Sequence, residues 1–408
     1  MNQKTLIGLA IAALVAIVVA IALNRANRPR SESGGEQSSY LAPDLRDHVN
    51  DVSKLVVTGA DNKTLATLER GTNGWSIAEK GGYAVDTGKL REFLLKLADA
   101  KQVEEKTANK DKYATLGVED VSASEAKGLQ VELDGLAQPL TLIVGVANPR
   151  GGTFVRRVGD AQSWLVSATL KVEKTAADWL KKDLVDIAAN RIESVTITHP
   201  DGKRVRVSKD AEGDVNFKLA DIPKGREVAS EYSANGLAST LAGLRFDDVV
   251  PAQGAAPDDK ALKAAYATFD GVVVDVTAWK KDAKDYAQIV ASLDAARADK
   301  GIAAQQAKTR SEFETATAAA AKDSKPADKP IKPLAVSDAA KDHENRLAAL
   351  NKEVADLNAR VNGWTYVLPA YKYANINKSS DDLLKPPEDK KAASVKKATT
   401  RKRVKHGA

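Results

Sequence analysis

Asp51 to Leu65 (DVSKLVVTGADNKTL) and Arg191 to Val205 (RIESVTITHPDGKRV) run in register at an offset of 140 residues. A chain that writes one pattern twice has to build similar local structure twice, and this limits its folds more than any other feature. Val52 aligns with Ile192, Leu55 with Val195, Val57 with Ile197, Thr58 with Thr198 and Asp61 with Asp201. Each copy alternates apolar and polar residues, turns at ADNK or HPDG, and alternates again over Thr64 to Glu69 or Arg204 to Ser208. Such alternation predicts half-buried strands, and Pro200 presets the first corner of its turn. A third strand closes on Trp75 and Ile77 in one copy and on Phe217 and Leu219 in the other. Leu90, Leu94 and Leu97, then Val103, are matched by Leu237, Leu241 and Leu244, then Val250. Steps of four and three put these leucines on one helical stripe that can cover a meander. The reading is a duplicated β-β-β-α unit in an α+β fold.

Between the copies, Gly128 to Ser167 reads as an antiparallel meander of four strands, GLQVELD, PLTLIVG, TFVRRVG and SWLVS, parted by turn residues. A further strand pair is expected at Gly271 to Thr277 and Asp285 to Leu293. Alanine-rich Ala295 to Lys322 and the heptad-like Val336 to Asn362 then predict two helices. The prolines of KPADKPIKP between them permit a hairpin, and GWTYVLP at Gly363 to Pro369 reads as a returning strand. Ala340, His343, Leu347, Leu350, Val354, Leu357 and Val361 form the seam of the second helix. A seam this short packs within its own chain or recruits a partner, and Leu347, Leu350, Val354, Leu357 and Val361 are the candidate partner-binding residues.

The ends of the chain differ from the body. Leu6 to Leu23 is an unbroken run of 18 apolar or glycine residues. As a helix it would span roughly 27 Å, close to the ~30 Å hydrocarbon core of a bilayer. It reads as a single transmembrane anchor formed by Leu6, Leu9, Leu14, Ile17, Val19 and Leu23. Ala20-Ile21-Ala22 is the small-x-small pattern that would instead permit cleavage as a secretory signal. Lys4 before the run and Arg25, Arg28 and Arg30 after it leave the orientation open. The stretch SESGGEQSS that follows has no apolar residue and reads as a spacer.

At the other end, Lys390, Lys391, Lys396, Lys397, Arg401, Lys402, Arg403 and Lys405 stand without an acid among them. Taking these eight charges from the formal net charge of +6 leaves the rest of the chain at −2. The body is therefore not a basic nucleic-acid surface. Lys396, Lys397, Arg401, Lys402, Arg403 and Lys405 are the candidates for touching an anionic lipid or polymer.

The chemical inventory is sparse. Zero cysteines exclude disulfides, thiolate metal sites and cysteine nucleophiles. His48, His199, His343 and His406 lack a second histidine at metal-ligand spacing. The loop GVANPRGGT at Gly145 to Thr153 lacks the GK[ST] ending of a phosphate loop and reads as a hairpin turn. No G-x-S-x-G elbow occurs. No catalytic, cofactor-binding or metal-binding residue is assigned, and no cofactor is expected.

The succession of DVSKLVVTG, a strand ending NGWSI, a leucine-striped helix, YATLGVED at Tyr113 to Asp120, FVRRVGDAQSWLVS and GWTYVLPAYKYANINKSSDDLL resembles the bacterial membrane-anchored family catalogued as domain of unknown function 4340. The resemblance spans Val49 to Leu384 apart from the helical hairpin. It implies an auxiliary component beside ABC transporters of the gliding-motility type, with the body in the periplasm on a single span of the cytoplasmic membrane. It carries over no catalytic residue.

The expected organisation is an anchor with flanks at 1–30, a spacer at 31–48, repeat domains at 49–186 and 187–294, the helical hairpin at 295–362, a returning strand and closing segment at 363–385 and a basic tail at 386–408. The function expected is a non-enzymatic extracytoplasmic accessory or scaffold protein of an ABC-type assembly. The rivals are an envelope tether acting through the tail and an envelope hydrolase with acids drawn from both repeats.

Overall fold

The computed structural model describes residues 39–322 and 330–386. They form an α+β protein with antiparallel sheets. In chain order the strands are β1 (Lys54–Gly59), β2 (Lys63–Gly71), β3 (Gly74–Ile77), β4 (Tyr83–Ala84), β5 (Gln102–Glu105), β6 (Leu129–Asp134), β7 (Leu140–Ala147), β8 (Thr153–Arg157), β9 (Ser163–Val166) and β10 (Asp183–Val185). There follow β11 (Ile192–Thr198), β12 (Arg204–Ser208), β13 (Lys218–Leu219), β14 (Leu244–Arg245), β15 (Asp248–Pro251), β16 (Leu262–Thr268), β17 (Val272–Lys281), β18 (Lys284–Leu293) and β19 (Trp364–Val367).

The run Leu6–Leu23 lies outside the described residues, and among those described no helix is long and apolar enough to cross a membrane. The transmembrane helix expected as the first element of the fold is therefore withdrawn. Ala295–Lys322, at 28 residues, has the length. Arg297, Asp299, Lys300, Lys308, Arg310, Glu312 and Glu314 along it exclude a lipid environment.

Two compact units make up the fold, one from residues up to 64 with 91–172, the other from 65–90 with 173 onward. In the first, the strands run in the order β1-β6-β7-β8-β9-β5. The second contains the order β11-β16-β17-β18-β19-β15. Position for position this is the same path, so the sequence repeat is carried into topology. Alternation does the work: Leu55 and Val57 in β1, and Val195 and Ile197 in β11, are all fully buried. Each such side chain contributes about 1.5–3 kcal/mol relative to exposure. The third strand repeats too, with Leu68 opposite Ile77 and Val207 opposite Leu219.

The helices of the two copies differ. The first is a regular helix, Thr87–Ala98. The second is a four-residue α-turn, Asn235–Ala238, followed by a 3-10 turn, Ser239–Leu241, while Leu244 lies in β14. Gly243, at φ +52°, ends the turn before a full helix can form.

Residues 40–48, expected in the spacer, are built into the first unit. Pro43–His48 is helical with Leu45 buried, and Leu41 N–H donates to Ala100 O at 2.8 Å. The YATLGVED and FVRRVGDAQ segments meet in the same unit around Arg156, whose side chain is 4% exposed. Its guanidinium donates to Val118 O at 2.9 Å and Asp160 O at 3.0 Å, pairs with Asp120, and lies 4.7 Å from the Tyr113 ring centre. GVANPRGGT is the β7–β8 hairpin loop, closed by Asn148 N–H to Gly152 O at 3.0 Å.

The second unit gathers a ring cluster, with Tyr83 edge-on to Phe246, Trp364 and Tyr366 at centroid distances of 5.4, 4.9 and 6.1 Å. Burial in this cluster raises the Tyr83 phenol above its ordinary pKa, and more strongly that of Tyr366. Below the short turn, the buried Lys372 ammonium donates to Thr240 O and Ala242 O, each at 2.8 Å. A cation at the carbonyl end of a helical turn meets acceptors that the turn leaves open. Desolvation holds its pKa below the usual lysine value.

Candidate interaction site at the root of the helical hairpin

The connection from β18 to β19 is the helical hairpin of Ala295–Lys322 and Ala339–Val361. Asp294 starts the first arm by accepting the Arg297 N–H at 3.1 Å. Two glycines then let this arm lie against the β16–β17 turn. A Cβ on Gly271, at φ +92°, would stand 2.5 Å from Ala298 N, and one on Gly301 would stand 2.6 Å from Phe269 O. Asp338 caps the second arm by accepting the Lys341 N–H at 2.9 Å.

An ionic network crosses this root. Arg191 grips Glu353 of the second arm with two parallel bonds of 2.6 and 2.8 Å, and its Nε donates to Asp270 at 2.9 Å. Asp270 is aimed by the Thr268 hydroxyl at 2.6 Å. The hydrogen bond to Glu353 is the main cause that raises the Arg191 pKa, with burial opposing it and Asp270 adding to it. Glu353 keeps 38% of its side chain in water, so the fork is worth about 1 kcal/mol rather than the several of a dry pair. Arg297 joins Glu193 of β11 to Asp294, the latter at 3.2 Å.

The arms meet each other through polar groups. Gln306 donates to Ala339 O at 2.8 Å and to Asp342 at 3.0 Å, while Arg346 binds Asp342 at 2.7 Å and Gln305 at 2.7 Å. His343 pairs with Asp299 at 2.9 Å. The Arg346 hydrogen bond holds the Asp342 carboxyl below its ordinary pKa. A cavity of about 620 Å³ opens beside the first arm, lined among others by Arg191, Glu193, Phe269, Arg297, Gly301 and Ala304. A second, of about 230 Å³, lies between Arg191, Asp270, Ile302 and the Arg346, Leu350 and Glu353 side of the second arm.

Of the seam residues, Leu350, Leu357 and Val361 are buried in this unit, and Leu347 and Val354 are half-buried. Ala340 is exposed. The anchor residues Leu6, Leu9, Leu14, Ile17, Val19 and Leu23 lie outside the described residues. So do the tail residues Lys396, Lys397, Arg401, Lys402, Arg403 and Lys405. Among the described residues there is no group of three His, Asp or Glu side chains that could hold a metal ion. Arg191, Asp270, Arg297 and Glu353 escaped the sequence reading. One signal was present: Arg191 stands where the first copy has Asp51, a charge reversal at an aligned position.

Residues 75–265 match the family model described as a domain of unknown function (DUF4340). Over that stretch the chain is similar to DUF4340 domains. No curated protein and no solved structure matches the chain. The DUF4340 match takes in Arg156 and Arg191 and ends within β16, so the hairpin arms fall beyond it.

Proposed function

We propose that this protein is a non-enzymatic accessory protein whose body stands outside the bacterial cytoplasmic membrane and docks an ABC-type transport assembly. One observation carries the docking part: the arginines and carboxylates at the hairpin root satisfy one another, Arg191 with Glu353 and Asp270, Arg297 with Glu193 and Asp294. Groups bound in this way fix the pose of the helical pair on its unit. A reacting group would need a free lone pair or a proton poised for transfer. The transport context rests on the resemblance set out above, which the DUF4340 match supports at the level of the family.

Lys300→Cys provides one thiol in a chain that has none of its own. Labelling by a membrane-impermeant maleimide in intact spheroplasts is expected, and labelling only after lysis would overturn the location. Cross-linking from the same thiol should capture the membrane-spanning permease subunit of an ABC transporter, and Arg191→Ala with Glu353→Ala should weaken that capture. Recovery of the protein alone from several mild detergents would remove the transport role.

A further inference from the structure

Another groove of the same unit, about 480 Å³, lies between the β12–β13 connection and the Asn235–Ala238 turn. Asn190, Lys209, Val215, Phe217, Asn235 and Ser239 are among its lining residues. Lys209 is the unusual member. It continues the β11–β12 ladder with its backbone N–H on Glu193 O at 2.8 Å, and only 6% of the residue is exposed. Its ammonium sits 4.7 Å from the centre of the Phe217 ring and has no hydrogen bond or ion pair among the described residues. The ring face meets part of the charge. Most of the side chain is covered, so the ammonium meets water only through the groove and can exchange that water for an anion.

The acids of the groove do not answer it. Asp214 is occupied by the backbone N–H groups of Asp210 and Ala211, both at 3.1 Å. Glu212 lines the groove but forms no ion pair with Lys209. Asn235 is also committed, since its Oδ1 accepts the Phe217 N–H at 2.9 Å and its Nδ2 donates to Asn216 at 2.9 Å. These bonds hold the Phe217 ring under the ammonium and leave Lys209 as the unspent donor. A second ammonium stands at the same turn, where a Cβ built on Gly236 would lie 3.4 Å from Lys378 Nζ. Beside these cations the 78%-exposed Val215 offers apolar surface, and the buried Phe217 lines the groove wall.

We propose that this groove binds a monocarboxylate with an apolar body, its head on Lys209 and its body along Phe217 and Val215. A charge-assisted bond to a preformed, half-dry ammonium gives orientation, and the apolar lining gives affinity. An acyl chain and a peptide ending in a leucine carboxylate share this chemistry.

The test is reductive methylation of the full chain, read at each lysine by mass spectrometry, with octanoate, octanol, acetyl-Gly-Leu and acetyl-Gly-Leu-amide as probes. Octanoate or acetyl-Gly-Leu should slow methylation of Lys209 about fivefold or more at saturation, and the uncharged counterparts should not. The tighter of the two carboxylates identifies the source. Calorimetry should show the dissociation constant rising about tenfold or more in Lys209→Met and changing only about threefold in Lys209→Arg. Protection by octanol equal to that by octanoate, absence of protection by both carboxylates, or unchanged affinity in a Lys209→Met protein of native circular dichroism would each overturn the proposal. The protection measured on the unaltered chain decides the matter even where Lys209→Met does not fold.

Discussion

Replacing Gly301 with alanine sets two effects of opposite sign against each other. Gly301 lies inside the helix Ala295–Lys322, and glycine there costs ~1 kcal/mol relative to alanine. On propensity alone, Gly301→Ala stabilises the protein. In the folded chain, however, the new methyl group would stand 2.6 Å from Phe269 O and 2.8 Å from Asp270 Cα. Both are backbone atoms of the β16–β17 turn and cannot swing aside as a side chain would. To reach an ordinary separation of about 3.5 Å the arm must retreat by roughly 1 Å. Such overpacking costs about 1–3 kcal/mol, and more where the obstacle is rigid. The retreat also strains the nearby Arg297–Glu193 pair, so the net effect is a loss of about 1–2 kcal/mol after the propensity gain. Urea unfolding of the full chain, followed by far-ultraviolet circular dichroism and tryptophan fluorescence, should place the Gly301→Ala midpoint below that of the parent. A midpoint equal to or above the parent's would show that the arm does not lie against the turn, and the account of the hairpin root would fail with it.

Three more outcomes are expected. Arg156→Met leaves Val118 O and Asp160 O without their donor and should cost about 3 kcal/mol in the same unfolding measurement, whereas a loss under about 1 kcal/mol would deny the arginine its structural role. Lys372→Met removes two 2.8 Å bonds from the carbonyls of Thr240 and Ala242 and should lower stability by about 2 kcal/mol, read as a shift of the urea midpoint. Asp342, held below its ordinary pKa chiefly by Arg346, contributes stability that is complete above the unfolded carboxylate pKa of ~3.9 and is lost as pH falls through its lower folded value. An acid titration of helical ellipticity should therefore lose part of its slope in Asp342→Asn, and an unchanged curve would exclude the linkage.

Much of the second unit was written in local pattern. The alternation in Ile192–Thr198 and Arg204–Ser208 fixed both strands, and the composition of Ala295–Lys322 gave that helix its observed ends. β16 was missed because LKAAYAT carries three alanines, which bury without marking a two-residue period. The stripe Leu237, Leu241 and Leu244 was misread because steps of four and three are equally satisfied by a compact double turn running into a strand. The ion-pair partners of Arg191 lie 79 and 162 residues away, and no window of local sequence contains both ends of such a bond.

The placement of the hairpin has a reason in the sheet itself. β18 pairs with β17 along all ten of its residues, from Lys284 to Leu293. On its other side, β19 pairs with Tyr286 and Ala287 only. The outer half of β18 is thus an open edge, and open edges recruit other chains unless something covers them. The second arm covers it: Asn358 accepts the Ala291 N–H at 2.8 Å through Oδ1 and donates to Ala291 O at 2.7 Å through Nδ2. One side-chain amide thereby stands in for a missing strand residue. Ile289 and Ala291 are buried on this strand, as are Leu350, Leu357 and Val361 on the arm. In the first unit β8 and β9 are joined by a short turn and pair over Thr153 to Arg156, so no comparable edge arises there. Asn358→Leu keeps the bulk of the side chain but leaves both backbone groups of Ala291 unanswered, which should cost about 2 kcal/mol. Hydrogen exchange at the Ala291 amide should quicken with it while exchange at Val274, its neighbour on β17, stays slow. Equal protection of Ala291 in the parent and in Asn358→Leu would mean that the arm does not serve as the border of this sheet.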